Sequence, residues 1–372
     1  MKARYLTFVG LLTVALSALT ACSDAIFATI ETEKKVATNT LSQTLSIFDL
    51  ATIVPGSTYY VAAGGVFQGN LNAGTMSWNP ADTSRPWNPP GLLCNAMVYY
   101  AGTLWGGFVS STGSAALYQS SAGPNYSFAN STPVNDSAIN GKQAIRLLVA
   151  NDHLFMSSTP DTTTYGLDYQ ATGAVPWIAG VISGLPKAIT GVAWDGSKYW
   201  AASQSTVYVS SDPPTISSFT LAVQNPVPST DQVNGVFADR VKGRVFLATK
   251  LNGIYWSPDG GTTWKQIGAD VVNTASVSYL CFAGPADGAT ADKYLVGSDG
   301  YGYYTLSISG NGGTGSISRF GDATVSLYVE SVSRILVDGV NVLMGTNANG
   351  LWRSVFDTNT GALASGQSWV HE

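Results

Sequence analysis

From about residue 45 onward the chain alternates apolar runs of strand length with short clusters of Asp, Gly, Asn and Ser, and no stretch keeps the 3.6-residue spacing of a helix. One unit shows the pattern clearly. Gln232 to Asp239, Arg244 to Thr249, Gly253 to Ser257 and Thr263 to Ile267 are four apolar runs parted by turn formers. The pattern predicts four short strands joined by tight turns and an all-β chain.

The four-part unit recurs. A second clear copy runs from Ser331 to the C-terminus, and a third begins at Ala188. Weaker copies start near Asn95, Ala144 and Ser276, and Leu45 to Trp78 supplies a first, which makes seven. Asp152, Asp195 and Asp239 close the first strand of three successive units at spacings of 43 and 44 residues. Trp78, Phe128, Trp177, Phe219, Trp264 and Trp369 mark the last strand of six. A four-stranded unit with a period in the forties is the signature of a β-propeller blade, which buries its faces against its neighbours. A parallel β-helix has far shorter rungs. The expectation is a single propeller over residues 45–372 with seven four-stranded blades, six or eight being the counts that degenerate repeats leave open.

Ser257-Pro258-Asp259-Gly260-Gly261-Thr262-Thr263-Trp264 matches the S-x-D-x-G-x-T-W pattern and resembles the Asp-box, or BNR repeat, of sialidase-like propellers. Ser257, Asp259 and Thr263 satisfy backbone groups of a tight turn, Gly261 supplies positive φ, and Trp264 packs between blades. The resemblance covers the chain as an architecture and eight residues as a motif, and implies a fold more than a reaction. Sialidases also require three arginines on the substrate carboxylate, a Tyr–Glu nucleophile pair, an acid–base Asp and an early Arg-Ile-Pro. No Arg-Ile-Pro occurs, and past residue 21 the arginines are Arg85, Arg146, Arg240, Arg244, Arg319, Arg334 and Arg353.

The N-terminus reads separately from the repeats. Lys2 and Arg4 precede an apolar run from Tyr5 to Leu19, too short to span a bilayer comfortably, that closes on Leu19-Thr20-Ala21-Cys22. That ending resembles the bacterial lipobox. It implies a signal peptide over residues 1–21, lipid on Cys22 as a membrane anchor, and a Thr- and Ala-rich tether over residues 22–44. Ser23 after the cysteine points, in a Gram-negative cell, to the outer membrane, so the cell envelope is the expected location.

Removing residues 1–21 takes away Lys2 and Arg4 and no acid, which moves the formal charge from −5 to −7 and argues against nucleic acid as a partner. Charged residues are 11% and hydrophobic residues 45% of the chain, and 40 glycines fit a β-rich exported protein. His153 and His371 are the only histidines, and no loop of alternating acids appears, so neither a metal nor a cofactor is expected. His153 reads as a solvated turn residue. Cys94 and Cys281 fall in the second and sixth units, a separation that argues for two buried free thiols over one disulfide.

Two regions are candidates for binding. Aligning the first strands gives the column Ala96, Arg146, Gly191, Gly235, Tyr279 and Arg334, in which Arg146, Arg334 and Tyr279 make an anion-accepting channel mouth. The competing reading pairs each arginine with an acid of a neighbouring blade. The Pro-rich insert from Asp82 to Gly91 carries Arg85 and an exposed-looking Trp87, and either Trp87 stacks on a sugar or anchors a protein, or the insert plugs the channel. The expected function is a membrane-anchored binding or assembly module for a protein or glycan, of unknown oligomeric state and without a catalytic residue. A divergent glycoside hydrolase or lyase, and a structural envelope lipoprotein with no discrete ligand, are the alternatives. Metabolic labelling with a fatty acid marks the wild type and not Cys22→Ala, and equal labelling of the two overturns the anchor.

Overall fold

The computed structural model describes residues 41–372 except 42–44, 80–86, 122, 124–125, 162, 172–175, 212–218, 223–224, 269–270, 273–274, 286–291, 311–312 and 323–324. The signal peptide, Cys22 and Arg85 therefore lie outside the described residues, as does all of the tether but Leu41.

Seven antiparallel sheets follow one another along the chain. Blade 1 is Asp49–Val54, Thr58–Ala63, Gly65–Asn72 and Thr75–Asn79, and blade 2 is Leu92–Tyr100, Thr103–Ser110 and Ala115–Gln119. Blade 3 is Gln143–Ala150, His153–Thr159, Tyr165–Ala171 and Ile178–Leu185; blade 4 is Gly191–Trp194, Lys198–Ser203, Thr206–Ser211 and Thr220–Leu221. Blade 5 is Val233–Asp239, Arg244–Thr249, Ile254–Ser257 and Lys265–Ile267; blade 6 is Tyr279–Ala283, Lys293–Ser298, Tyr303–Ile308 and Gly315–Arg319. Blade 7 is Val332–Asp338, Asn341–Thr346, Leu351–Asp357 and Ala362–Leu363, and Val370–His371 also pairs with its third strand. First strands touch in blade order and the seventh touches the first, so the ring is closed.

The seven-bladed expectation holds, but four strands per blade is a rule with two exceptions, the five-stranded sheet of blade 7 and blade 2. Blade 2 keeps three strands in its sheet, and an isolated bridge between Tyr118 and Pro133 stands where a fourth would pair. The aromatic landmarks sit at the last strands, with Trp78 inside one and Trp177, Phe219, Trp264 and Trp369 immediately before theirs. Phe128 belongs to blade 2, where no such strand forms.

Each of the seven gaps between blades holds an apolar cluster. Second strands lie in the middle of their sheets and are covered on both faces, so Arg244–Thr249 and Asn341–Thr346 are buried throughout and their sequences run apolar without alternation. Each large apolar side chain enclosed this way contributes about 1.5–3 kcal/mol.

Tyrosines tie blades at three of these gaps. Tyr59, Tyr199 and Tyr294 each stand second in a second strand. Tyr59 donates to Asp338 of blade 7 at 2.9 Å and Tyr294 to Asp239 of blade 5 at 2.7 Å, while the Tyr199 hydroxyl meets His153 Nδ1 of blade 3 at 2.7 Å. Burial and the facing carboxylates push the Tyr59 and Tyr294 phenols up, which keeps them protonated as donors. His153 is thus no solvated turn residue. It opens a strand, half-buried, with Tyr169 and Tyr199 around its ring.

The Asp-box joins the third and fourth strands of blade 5. Ser257 Oγ donates to Asp259 Oδ1 at 2.8 Å and accepts from Gly261 N at 2.7 Å, and Thr263 reaches Asp259 through both N and Oγ1 at 2.8 and 2.7 Å. Trp264 meets Trp200 of blade 4 edge-on with ring centres 5.9 Å apart. Gly261 has φ +85°, and a Cβ there would lie 2.2 Å from the Trp200 ring.

Tyr294→Phe removes a donor from buried Asp239 and an acceptor from buried Arg244, and should lower unfolding free energy by about 1–3 kcal/mol. Gly261→Ala should cost at least as much, through strain and collision. Urea denaturation with an unchanged slope reads both losses. Tyr294→Phe as stable as wild type would remove the tyrosine tie from the account of the fold.

Candidate functional site

First strands line the central channel, and a recurrent irregularity decides what faces into it. In blades 2, 3, 5, 6 and 7 the ladder to the second strand skips one residue near its start, at Asn95, Ile145, Asn234, Leu280 and Ser333. These are β-bulges, which re-aim side chains. Asn95 and Asn234 use theirs to cross to the next blade, Asn95 Nδ2 donating to Ala144 O at 2.9 Å and Asn234 Nδ2 to Tyr279 O at 2.8 Å.

Register on the second strands gives the channel column Asp49, Ala96, Arg146, Gly191, Gly235, Cys281 and Arg334, paired with Ala62, Gly107, Ser157, Ala202, Ala248, Gly297 and Gly345. Two corrections follow. Tyr279 precedes the blade 6 bulge and is fully buried in the gap to blade 5, its ring edge-on to Tyr304 at 5.3 Å, so Cys281 takes its place in the column. Asp49 joins the column. Its signal was the run Asp49-Leu50-Ala51 ahead of the first repeat's second strand. Gly191 and Gly235 are spacers, because a Cβ on either would come within 2.8 Å of the next blade's backbone.

Arg146, Arg334, Asp49 and Cys281 meet around a chamber of about 160 Å³. Arg334 Nε donates to Asp49 Oδ1 at 3.0 Å and its Nη1 to Ser333 O at 2.7 Å; Met97 N of blade 2 donates to Asp49 Oδ2 at 3.1 Å. Arg334 therefore does pair with an acid of a neighbouring blade. Arg146 does not: its Nη1 donates to Thr190 O of the segment entering blade 4 at 2.5 Å, and among the described residues no carboxylate lies within ion-pair distance. Burial, and then the charge of Arg334, push Arg146 down to about 10, with Asp49 pulling the other way. Burial raises Asp49 more than Arg334 and the Met97 amide lower it. With Asp49 ionised, two guanidiniums and one carboxylate leave the chamber one positive charge in excess.

Above the chamber a mouth of about 350 Å³ is lined by Gln232, Asn234, Ser333 and Asn347 together with both arginines. Ile47 and Phe48 also stand there, because the chain enters the ring at this face, with Ile47 N bonded to Thr346 O at 2.9 Å and Gly350 N to Leu45 O at 3.0 Å. Most glycoside hydrolases use two carboxylates about 5–9.5 Å apart, and sialidases a tyrosine–glutamate pair with an acid–base aspartate. Asp49 is the one carboxylate among the described residues lining the chamber.

Trp87 is buried in the cluster between blades 1 and 2, where its carbonyl accepts from Phe128 N at 2.9 Å. Asn88 beside it accepts from Val66 N and donates to Gly64 O and Leu92 O. Trp87 is therefore not an exposed anchor, and it takes no part in the channel. Prolines and polar neighbours made it look like a loop tip; the gap between two blades swallows it.

No protein-family model matches the chain, and no curated protein matches it. Solved structures do. YCF48 bound to D1 peptide superposes with a TM-score of 0.56 at 15% identity, over 85% of this chain and 94% of that one. YCF48 from Cyanidioschyzon merolae gives 0.55 at 12% identity, over 86% and 98%. PorZ, a surface component of the type-IX secretion system of Porphyromonas gingivalis, gives 0.55 at 11% identity over 89% of this chain and 39% of that one. At these identities the likeness is one of fold.

Cys94 and Cys281 are free thiols in the structure, and they should react differently. Burial pushes Cys281 up to about 11 against the pull of both arginines, yet it faces the chamber, whereas Cys94 is fully enclosed. A small thiol reagent should modify Cys281 at a rate that climbs about tenfold per pH unit towards 11 and leave Cys94 intact until unfolding. Equal rates at the two would contradict the channel assignment.

Proposed function

We propose that this chain is a lipid-anchored propeller of the bacterial cell envelope that captures a protein partner at the mouth of its channel and does no chemistry of its own. The observation that carries the reading is Arg146, a half-buried guanidinium bonded to a backbone carbonyl and, among the described residues, in no ion pair of its own, since Asp49 pairs with Arg334. A cation left incompletely neutralised away from bulk water is costly unless a ligand completes it. Amides and hydroxyls around the mouth offer a partner hydrogen bonds without adding charge.

Lipid on Cys22, the anchor that the sequence leads one to expect, would hold the ring at a membrane. The partner is then a membrane protein or one held at the membrane, in a Gram-negative cell at the outer membrane. A propeller of the same fold, YCF48, has been seen with a bound peptide, which supports capture of a protein segment as a use this architecture can serve.

A photo-crosslinking residue placed at exposed Gln232 on the mouth should trap a partner in intact cells, and one at Val241, 81% exposed on the opposite rim, should not. Arg146→Gln should abolish the Gln232 adduct. Adducts from Val241 alone, or an adduct indifferent to Arg146→Gln, would overturn the reading.

A further inference from the structure

Along its axis the channel changes chemistry, and the change has a direction. Below the chamber, the next residues of the same inner strands line a lower bore of about 260 Å³, where Val149, Val192, Ala193, Trp194, Phe237 and Ala238 stand beside the polar Asn151. Chamber and bore share Val236, and Leu148 runs on to Val149 and Gly191 to Val192, so one space continues into the other along blades 3, 4 and 5. The chamber walls beneath the charges are already apolar, with Leu148, Val236, Phe282 and Ile335. Arg240 stands at the outer lip of the bore.

A ligand that satisfies both ends has a compact anionic head and an apolar body. With Asp49 ionised against Arg334, the excess of one positive charge matches a monoanion, and phosphate or sulfate would leave the bore unfilled. Guanidinium takes carboxylate in a fork geometry, and Arg146 has donors to spare after its one bond to Thr190 O. A bore of this size holds several methylenes, each near the ~30 Å³ share of a water molecule.

We infer that the channel binds an aliphatic carboxylate, with its head on Arg146 beside Arg334 and its hydrocarbon part lying down the bore between the first strands of blades 3, 4 and 5. Such a group comes from a free fatty acid or from the carboxyl terminus of a protein ending in an apolar residue. The inference goes beyond the partner-capture reading, which needs the mouth but not the bore.

Calorimetry on the purified chain with acetate, butyrate, hexanoate, octanoate, octanol and inorganic phosphate tests it. Affinity should rise by up to about fourfold per methylene from acetate to octanoate, and octanol and phosphate should bind far more weakly than octanoate. Arg146→Gln should weaken octanoate tenfold or more, and Arg146→Lys should restore part of the loss. Val149→Thr, at a position already 42% exposed, should flatten the chain-length series from butyrate to octanoate. Octanoate binding no tighter than acetate, phosphate binding tighter than octanoate, or Arg146→Gln binding octanoate like wild type would overturn the inference. A short peptide ending in leucine, free or amidated at its C-terminus, separates the sources. Tight binding of the free form over octanoate assigns the head group to a protein terminus, and the reverse assigns it to a free acid. If neither binds, the inference fails, and a Gln232 adduct in cells would still leave partner capture standing.

Discussion

A blade of three to five strands has two apolar faces and nowhere to put them except against the next blade. Seven such sheets resolve the difficulty only by closing, so every other feature depends on the seam where blade 7 meets blade 1. There Asp338 accepts from Gly56 N at 2.6 Å and from Tyr59, Arg353 Nη2 donates to Gly74 O at 2.8 Å, and Leu41 and Ile47 fill the gap with Trp78, Leu343 and Leu351. The Asp49–Arg334 pair crosses the same seam on the channel side. An enclosed ion pair is weak evidence for stability, since desolvation offsets most of its attraction. Its value here is as a register mark between the first and last repeats, and as the part of the channel's charge that the fold itself neutralises.

That division of labour separates the two arginines. Arg334 is held by Asp49 and by the carbonyl of the bulged Ser333, and its position follows from closure. Arg146 lies on blade 3, away from the seam, and among the described residues its one hydrogen bond is to the segment that leads into blade 4. The charge of Arg334 lowers Arg146's preference for its charged form, and Asp49 pulls the other way. An apolar side chain at Arg146 would avoid the cost of desolvating a cation, which is why the proposed function rests on this residue. The Asp-box, by contrast, is consumed locally: every polar group in Ser257, Asp259 and Thr263 that the turn presents is answered within the turn, and Trp264 is answered by Trp200.

The YCF48 and PorZ superpositions place the chain within a widely used architecture and leave its chemistry to its own side chains. Blade 2 departs most from the repeat. Its sheet stops at three strands, and Trp87 and Asn88, from the insert before it, pack against its inner side and blade 1, so the insert serves the core.

Blade number, strand order and the Asp-box were legible in the sequence because they are written in local terms: turn residues at fixed offsets, continuous apolar runs for strands covered on both faces, and an aromatic at five of the last strands. Cys94 and Cys281 as separate thiols followed from the same repeat count, and Arg146 and Arg334 were found by aligning first strands. The remaining errors share one cause. Bulges insert a residue without changing composition, so Tyr279 was read one bulge out of register and Cys281 was overlooked, and a period-two strand exchanges faces at such a step. Whether Trp87 is exposed depends on how closely two sheets approach, and whether Asp49 meets Arg334 depends on a contact between residues 285 positions apart. Local pattern determined the blades; only closing the ring decided which side chains face the channel, because that is set by the distance and register between elements that the sequence does not place side by side.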